Sequence, residues 1–272
     1  MRSSTSSEAD RPRPYGPGRL PRIIAHRGLA LDGAENTLRA FADALEAGAD
    51  VLETDAHATA DGRAVALHDG DLRRVAGDPR RIHEVPSTQL AAVRVGGSEP
   101  VPLLEDVLGA FDAPVNIDVK TPRAVDAVAT AIARTASADR VCVTSFDGRT
   151  ARAAVARIRR LTGVRVRRSP STGAMTAFAL ALAVGAPQSA VDRILRPFAA
   201  LQIPPRHRGH ALVTARSLAA AHAAGCEVHV WTIDDEPTMR ALLALGADGI
   251  VTNRSDVLAG LLGRGPGAGS PV

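Results

Sequence analysis

Beginning at Ile23, short apolar runs alternate with longer stretches in which apolar residues return every third or fourth position. The first pattern suits buried strands, and the second suits helices packed by one face. The runs predict strands near Ile23–Ala25, Asp50–Asp55, Val115–Val119, Val141–Thr144, Val164–Val166, Ala200–Gln202, Val228–Trp231 and Gly249–Val251. The periodic stretches predict helices over roughly Thr37–Ala47, Arg123–Ala136, Gly148–Leu161, Ala174–Val184, Ala215–Ala224, Glu236–Leu245 and Ser255–Leu262. Gly48, Gly225 and Gly246 fall where helix C-terminal glycines belong. Strands and helices in alternation predict an α/β fold with a parallel sheet. Eight strands in one segment of this size predict a (β/α)8 TIM barrel. The rival, an open doubly wound sheet, requires a glycine-rich phosphate loop after the first strand, and His26-Arg27-Gly28 is not a GxGxxG turn.

Two segments stand outside the alternation. Ala56–Thr59 and Arg63–Leu67 read as a short strand pair across Asp61-Gly62, a favourable hairpin dipeptide, which places a small hairpin and loop insertion after the second strand. From 71 to 102 no period holds, so loops with a short helix near 87–93 are expected. Residues 1–22, rich in Ser, Pro, Arg and Gly and lacking the apolar stretch of a secretory signal, read as a disordered lead-in. One barrel domain is expected over 23–263 and a flexible tail over 264–272.

Composition alters this picture little. The apolar run Ala174–Gly185 is shorter than the roughly 20 residues that span a bilayer, so no stable membrane span is expected, and the chain reads as cytoplasmic. The formal charge is +4, but of the 33 basic residues only Lys120 is a lysine, and the arginines are dispersed. A basic stripe is missing, so no nucleic-acid partner is expected. Cys142 and Cys226 have no CxxC spacing and read as buried free thiols. No motif indicates an oligomeric state.

Barrels carry their chemistry at the C-terminal strand ends. Those ends are His26-Arg27, Glu53 and Asp55, Asp118 and Lys120, Thr144-Ser145-Phe146, Gln202, Trp231 and Thr252-Asn253. Glu53 and Asp55 are two apart on a strand and share a face, where they repel unless a cation or proton lies between them. Oxygen donors suit Mg2+ or Ca2+ better than zinc, although an acidic pair also serves as a plain solvent-facing feature. Asn116, Asp118 and Lys120 share the next strand's face, making Asp118 a candidate third donor. In a chain this rich in arginine, Lys120 marks either a need for a compact ammonium or a chance survivor. His26 and His68 suit proton transfer near neutral pH. Arg27 suits bidentate phosphate contact. Trp231 either packs the barrel mouth or walls a pocket. Asn36 or Thr37 suits a helix N-cap, and Glu35 suits the helix dipole.

Taken together these residues resemble the glycerophosphodiester phosphodiesterase family. The resemblance rests on Ala25 to Gly28, Glu35-Asn36-Thr37, Glu53-Thr54-Asp55, Thr59 to Gly62, Val65 to Asp69, Asn116 to Lys120, Ser145-Phe146-Asp147 and Val230-Trp231-Thr232, in family order. It implies a phospholipase-C-like barrel that hydrolyses small-molecule glycerophosphodiesters to sn-glycerol 3-phosphate and an alcohol. It implies a divalent cation, Mg2+ or Ca2+, on Glu53, Asp55 and Asp118, the last standing where the family usually has glutamate. It implies His26 and His68 as the acid–base pair, with Arg27 and Lys120 holding the phosphate; the strand-end residues Phe146, Gln202 and Trp231 are the further candidates for substrate binding. A lysophospholipid or phosphoinositide phosphodiesterase on the same barrel, or a non-catalytic binding protein that retains the fold, are the rival readings.

Overall fold

The chain is described by a computed structural model covering residues 15–16, 18–207 and 209–264. Eight parallel strands form the central wall: β1 (Arg22–His26), β2 (Val51–Ala58), β3 (Val115–Val119), β4 (Val141–Thr144), β5 (Arg167–Arg168), β6 (Ala200–Ile203), β7 (Glu227–Val230) and β8 (Gly249–Thr252). Their hydrogen-bonded order is β5-β4-β3-β2-β1-β8-β7-β6. Among the described residues β5 and β6 share no ladder; one backbone bond, from Ala199 N–H to the Arg168 carbonyl at 3.0 Å, crosses the seam. The result is a nearly closed TIM barrel.

The register sets the site. His26 lies opposite Glu53, Glu53 opposite Asn116, and Asp55 opposite Asp118. Because side chains alternate along a strand, the acids of β2 and the polar residues of β3 project into the same space. Tyr15, Ile24, Val51, Cys142, Ala200 and Val251 form one buried cluster drawn from five of the strands and the N-terminal segment. Below the site, Arg22 grips both carboxylate oxygens of Glu227 at 2.7 and 2.9 Å. Glu227 also accepts from Nε2 of the fully buried His229 at 3.0 Å. The ring of Tyr15 stands edge-on to His229.

Helices cover the outside. Leu38–Glu46 is capped by Thr37, whose side chain accepts from Ala40 N–H, so Thr37 and not Asn36 is the cap. Gly28 explains how closely this helix approaches the first turn: a Cβ there would meet the Ala40 carbonyl at 2.6 Å, and its φ of +84° favours glycine. The insertion after β2 folds as the antiparallel strand Ala64–Ala66 against β2 and carries its own apolar cluster around Val65, Leu67, Leu72, Ile82 and Leu90.

Several expectations need correction. The strand expected at Val164–Val166 lies at Arg167–Arg168; Val166 is buried in the outer core instead. Helices Leu104–Ala110 and Gln188–Leu195 were not anticipated, although Leu104, Val107 and Leu108 bury at helical spacing. In the 71–102 region the expected helix is Ser87–Leu90, preceded by a second short helix, Arg73–Ala76, and a 3-10 turn, Ile82–Glu84, and followed by a small ladder between Arg94–Val95 and Glu99–Pro100. Of the lead-in, 1–14 and 17 lie outside the described residues, but Tyr15 is 3% exposed and Arg22 is part of β1. Of the tail, 265–272 lie outside; Arg264 bonds the Pro21 carbonyl and Asp50 at 2.9 Å each. Both cysteines are buried and free.

Candidate active site

The strand C-termini ring a cavity of about 210 Å³. Glu53, Asp55 and Asp118 line it together with Arg27 and Lys120, both histidines face it, and Phe146, Gln202 and Trp231 wall it. The side chains expected to act on protons, cation or substrate therefore meet in one cleft, whereas Glu35, Asn36, Thr37, Thr252 and Asn253 are not among its lining residues.

The floor is electrostatic. Lys120 Nζ sits 2.6 Å from Asp55 Oδ1 and 2.6 Å from Asp118 Oδ2. One compact ammonium meets both points, a role that suits lysine. Burial would raise the Asp55 pKa, but the charges of Lys120 and Arg27 outweigh it and hold Asp55 below the ordinary range. Arg27 Nε lies 3.0 Å from Asp55 Oδ2 without the direction of a hydrogen bond. Its Nη1 donates to Glu35 at 3.1 Å. Glu53 is different. Burial, then the charges of Asp55 and Asp118, push its carboxyl well above the usual range. Its closest donor is the Arg27 backbone N–H at 3.2 Å.

His26 and His68 are held by different partners. His26 Nδ1 lies 2.8 Å from Asn253 Oδ1. Asp234 fixes that amide, accepting from Asn253 Nδ2 at 2.7 Å and from Asn253 N–H at 2.8 Å. A carboxylate only accepts, so the NH2 group faces Asp234 and the oxygen faces His26. His26 therefore donates from Nδ1 and keeps a lone pair on Nε2, 4.0 Å from Glu53 Oε2. Burial, then the Arg27 charge, lowers its pKa. His68 Nδ1 instead meets Asp69 Oδ1 at 2.6 Å. Asp69 and Glu35 are joined through Arg74, at 2.6 Å to each.

The remaining wall is apolar or amide-lined. Phe146, 58% exposed, stands edge-on to Trp231 with centroids 5.9 Å apart. Gln202 takes the Asn116 amide at 3.3 Å and reaches His229 Nδ1 at 3.4 Å.

Sequence reasoning passed over some contributors. Asn36 donates to Asp55 Oδ2 at 3.1 Å and accepts from Thr54 at 2.8 Å, so it orients the acid. Its position beside Glu35 was visible, but its partner lies on another element. Asn253 was recognised as a strand end without a role, and Asp234 went unnoticed. Ser169, Pro170 and Met175, from the turn and helix after β5, also line the cleft.

The donors suit a hard cation in charge and in atom type. Three buried carboxylates face one lysine and one arginine, and Oδ1 of both Asp118 and Asn116 is buried without a partner. Among the described residues no three His, Cys, Asp or Glu side chains are gathered tightly around one point; the Lys120 ammonium stands between Asp55 and Asp118.

Comparison with known proteins places this architecture. Residues 26–257 match the model of the glycerophosphoryl diester phosphodiesterase family. A probable glycerophosphodiester phosphodiesterase 2 of Mycobacterium tuberculosis is 35% identical over 241 residues, covering 88% of this chain and 89% of its own length. A human lysophospholipase D is 38% identical over 115 residues, 37% of each chain. Among solved structures, an Oleispira antarctica phosphodiesterase in complex with the product sn-glycerol-3-phosphate superposes with a TM-score of 0.69 at 21% identity, covering 89% of this chain and 97% of its own; this likeness speaks for the fold. With the family match spanning every strand end that lines the cleft, the chain belongs to the glycerophosphoryl diester phosphodiesterase family and so to the phosphoric diester hydrolases.

Proposed function

We propose that this protein hydrolyses glycerophosphodiesters to sn-glycerol 3-phosphate and an alcohol, with a divalent cation, Mg2+ or Ca2+, and with His26 and His68 moving the protons. The observation that carries the reading is Glu53. A buried carboxylate facing two others, with a backbone N–H as its closest donor, is costly unless a cation joins it. Glu53, Asp55 and Asp118 would hold that ion. When bound, it would neutralise the phosphate and acidify an oxygen nucleophile.

The chain's own groups divide the remaining work. Arg27 and Lys120 place positive charge on the cleft floor, where a phosphate's oxygens would lie. His26, neutral and with its Nε2 lone pair free, suits acceptance of the proton from the substrate's own glycerol hydroxyl as that oxygen attacks phosphorus. His68, oriented by Asp69, suits donation of a proton to the departing alcohol oxygen. Water then opens the cyclic phosphate with the two roles reversed. The Phe146–Trp231 wall bounds the substrate on the apolar side.

The test is release of glycerol 3-phosphate from glycerophosphocholine and glycerophosphoethanolamine over a grid of Mg2+, Ca2+ and chelator. Turnover that survives complete chelation would remove the cation from this reading. Failure on every diester would remove the whole of it. A second reading, cleavage of lysophospholipids, draws on the partial match to the human lysophospholipase D and on the exposed Leu180 and Val184 of the helix Thr172–Ala183 and the turn after it; lysolipids in the same grid decide it. Among the described residues no helix is long and apolar enough to cross a membrane.

A further inference from the structure

A second cleft opens beside the first. Its volume is about 410 Å³, and Phe146 and Ser169 line both. Gly148, Arg149, Arg152, Arg168, Ser169 and Ser171 form its polar wall. One carboxylate, Asp147, also borders it. That group is engaged as the cap of the helix Gly148–Thr162, accepting from Arg149 and Thr150 N–H at 3.1 Å each and from the Thr150 hydroxyl at 2.7 Å. Three guanidinium groups thus face a single carboxylate.

We propose that this cleft binds a phosphate monoester carried on the leaving alcohol of the substrate, so that the enzyme favours glycerophosphodiesters with a phosphorylated headgroup. The proposal rests on the phosphodiesterase reading above, because the shared wall at Phe146 and Ser169 makes the cleft an extension of the catalytic cavity. Three observations carry it. First, arginines crowd together: burial, then the charges of Arg152 and Arg165, lowers the pKa of Arg168, which is the environment an anion relieves. Second, the Ser169 hydroxyl is buried with no hydrogen-bond partner, a donor left for a ligand at the junction of the two clefts. Third, polar groups converge at Gly148: a Cβ there would lie 2.8 Å from Ser171 Oγ and 3.3 Å from Arg152 Nη1, so a hydroxyl and a guanidinium meet over one bare stretch of backbone. Arginine pairs recognise phosphate through charge-assisted, forked hydrogen bonds.

The experiment compares glycerophosphoinositol 4-phosphate, glycerophosphoinositol and glycerophosphocholine as substrates for the full chain and for the double variant Arg149→Gln, Arg152→Gln. Both arginines are exposed, so the fold is retained. The native chain should favour the phosphorylated headgroup. The double variant should lose about tenfold in kcat/KM on that substrate alone, through KM, as expected for one or two charged hydrogen bonds. Equal loss on all three substrates, or no loss, overturns the site while leaving the phosphodiesterase reading intact. If no diester is hydrolysed, that reading falls, and titration with inositol 4-phosphate decides the site by itself. Binding that weakens about tenfold in the double variant and is missing for inositol upholds it; equal binding by both proteins, or none, overturns it. Inorganic phosphate, titrated in parallel, separates the sources: binding as tight as that of inositol 4-phosphate overturns the headgroup assignment in favour of a free-anion site.

Discussion

Asn253 turns its amide oxygen, not its nitrogen, toward His26, with Oδ1 2.8 Å from Nδ1. The pairing withholds a negative charge from the imidazole while still fixing its tautomer. Burial and Arg27 keep the ring's pKa below its ordinary value, so His26 stays neutral through and below neutrality. The acid limb of kcat/KM should therefore fall below pH 6.5, the unperturbed histidine value. Asn253→Asp puts a carboxylate in the same place, favours the imidazolium, and should move that limb to higher pH. A pH–rate profile that is the same in both proteins would take His26 out of the proton transfer.

Lys120 is the only cation bridging Asp55 and Asp118 among the described residues. Lys120→Met should strand the buried Asp118, leave Asp55 with only Arg27 and Asn36, and cost about 3–5 kcal/mol, the penalty for breaking a buried pair. Added Mg2+ or Ca2+ should recover part of that loss, readable as a rise in Tm that chelator reverses. Lys120→Arg keeps the charge but not the compact geometry, and should lose most of its activity with a smaller stability loss.

Glu53 carries the opposite sign. Its folded pKa is raised, chiefly by burial, so below its unfolded value it costs nothing. As pH climbs from the unfolded toward the folded value, the unfolded chain gives up this proton while the native state keeps it, and stability falls. Glu53→Gln should stabilise the metal-free protein at neutral pH, on the order of 1–3 kcal/mol, and abolish activity. Denaturant melts in chelator check the first outcome; an unchanged or lower midpoint would contradict it.

Glu227 should govern acid stability. Burial would raise its pKa, but the bonds from Arg22 and His229 outweigh it and bring it to about 2, from an ordinary 4.5. Its contribution, at most about 3 kcal/mol, is complete above pH 4.5 and drains away as pH falls toward 2. Glu227→Gln should flatten the acid side of the stability curve and lower Tm at pH 7.

Tyr15 closes the barrel from below, with a hydroxyl that is buried and without a partner. Tyr15→Ala should cost about 3–5 kcal/mol through the cavity it leaves. Tyr15→Phe should be neutral or stabilising by about 1 kcal/mol. A Tyr15→Phe protein that melts markedly lower would show that the hydroxyl is satisfied in solution.

The parts legible in the sequence are those in which one strand carries its own signal. Glu53 and Asp55 share a face through a period of two, and Asn116, Asp118 and Lys120 do the same, so the floor of the site could be read directly. What could not be read depends on partners far apart in the chain. Asn36 looked like a helix cap because its real partner, Asp55, is on the next strand. Asp234, which follows β7, reaches His26 only through Asn253, which follows β8, and only once those two strands have paired. The β5 strand misled for a different reason: its two residues are both arginines, so apolar alternation pointed to Val164 and Val166. Tyr15 lay in a stretch whose composition spoke for disorder, and one aromatic ring does not change composition.

The seam between β5 and β6 has a further meaning. Every other pair of neighbouring strands is locked by a ladder, so altering one loop length threatens the register of its neighbour. At the seam one backbone bond, Ala199 N–H to the Arg168 carbonyl, and one side-chain bond, Arg168 Nε to the Pro197 carbonyl at 3.3 Å, do the joining, and the wall immediately beyond it, Ser169, Pro170 and Met175, lines the cleft. This is the sector in which the chain can lengthen, shorten or re-aim its substrate wall without re-pairing the barrel. Headgroup selectivity among relatives should therefore diverge first between β5 and β6, while the acids and histidines on the opposite arc stay fixed.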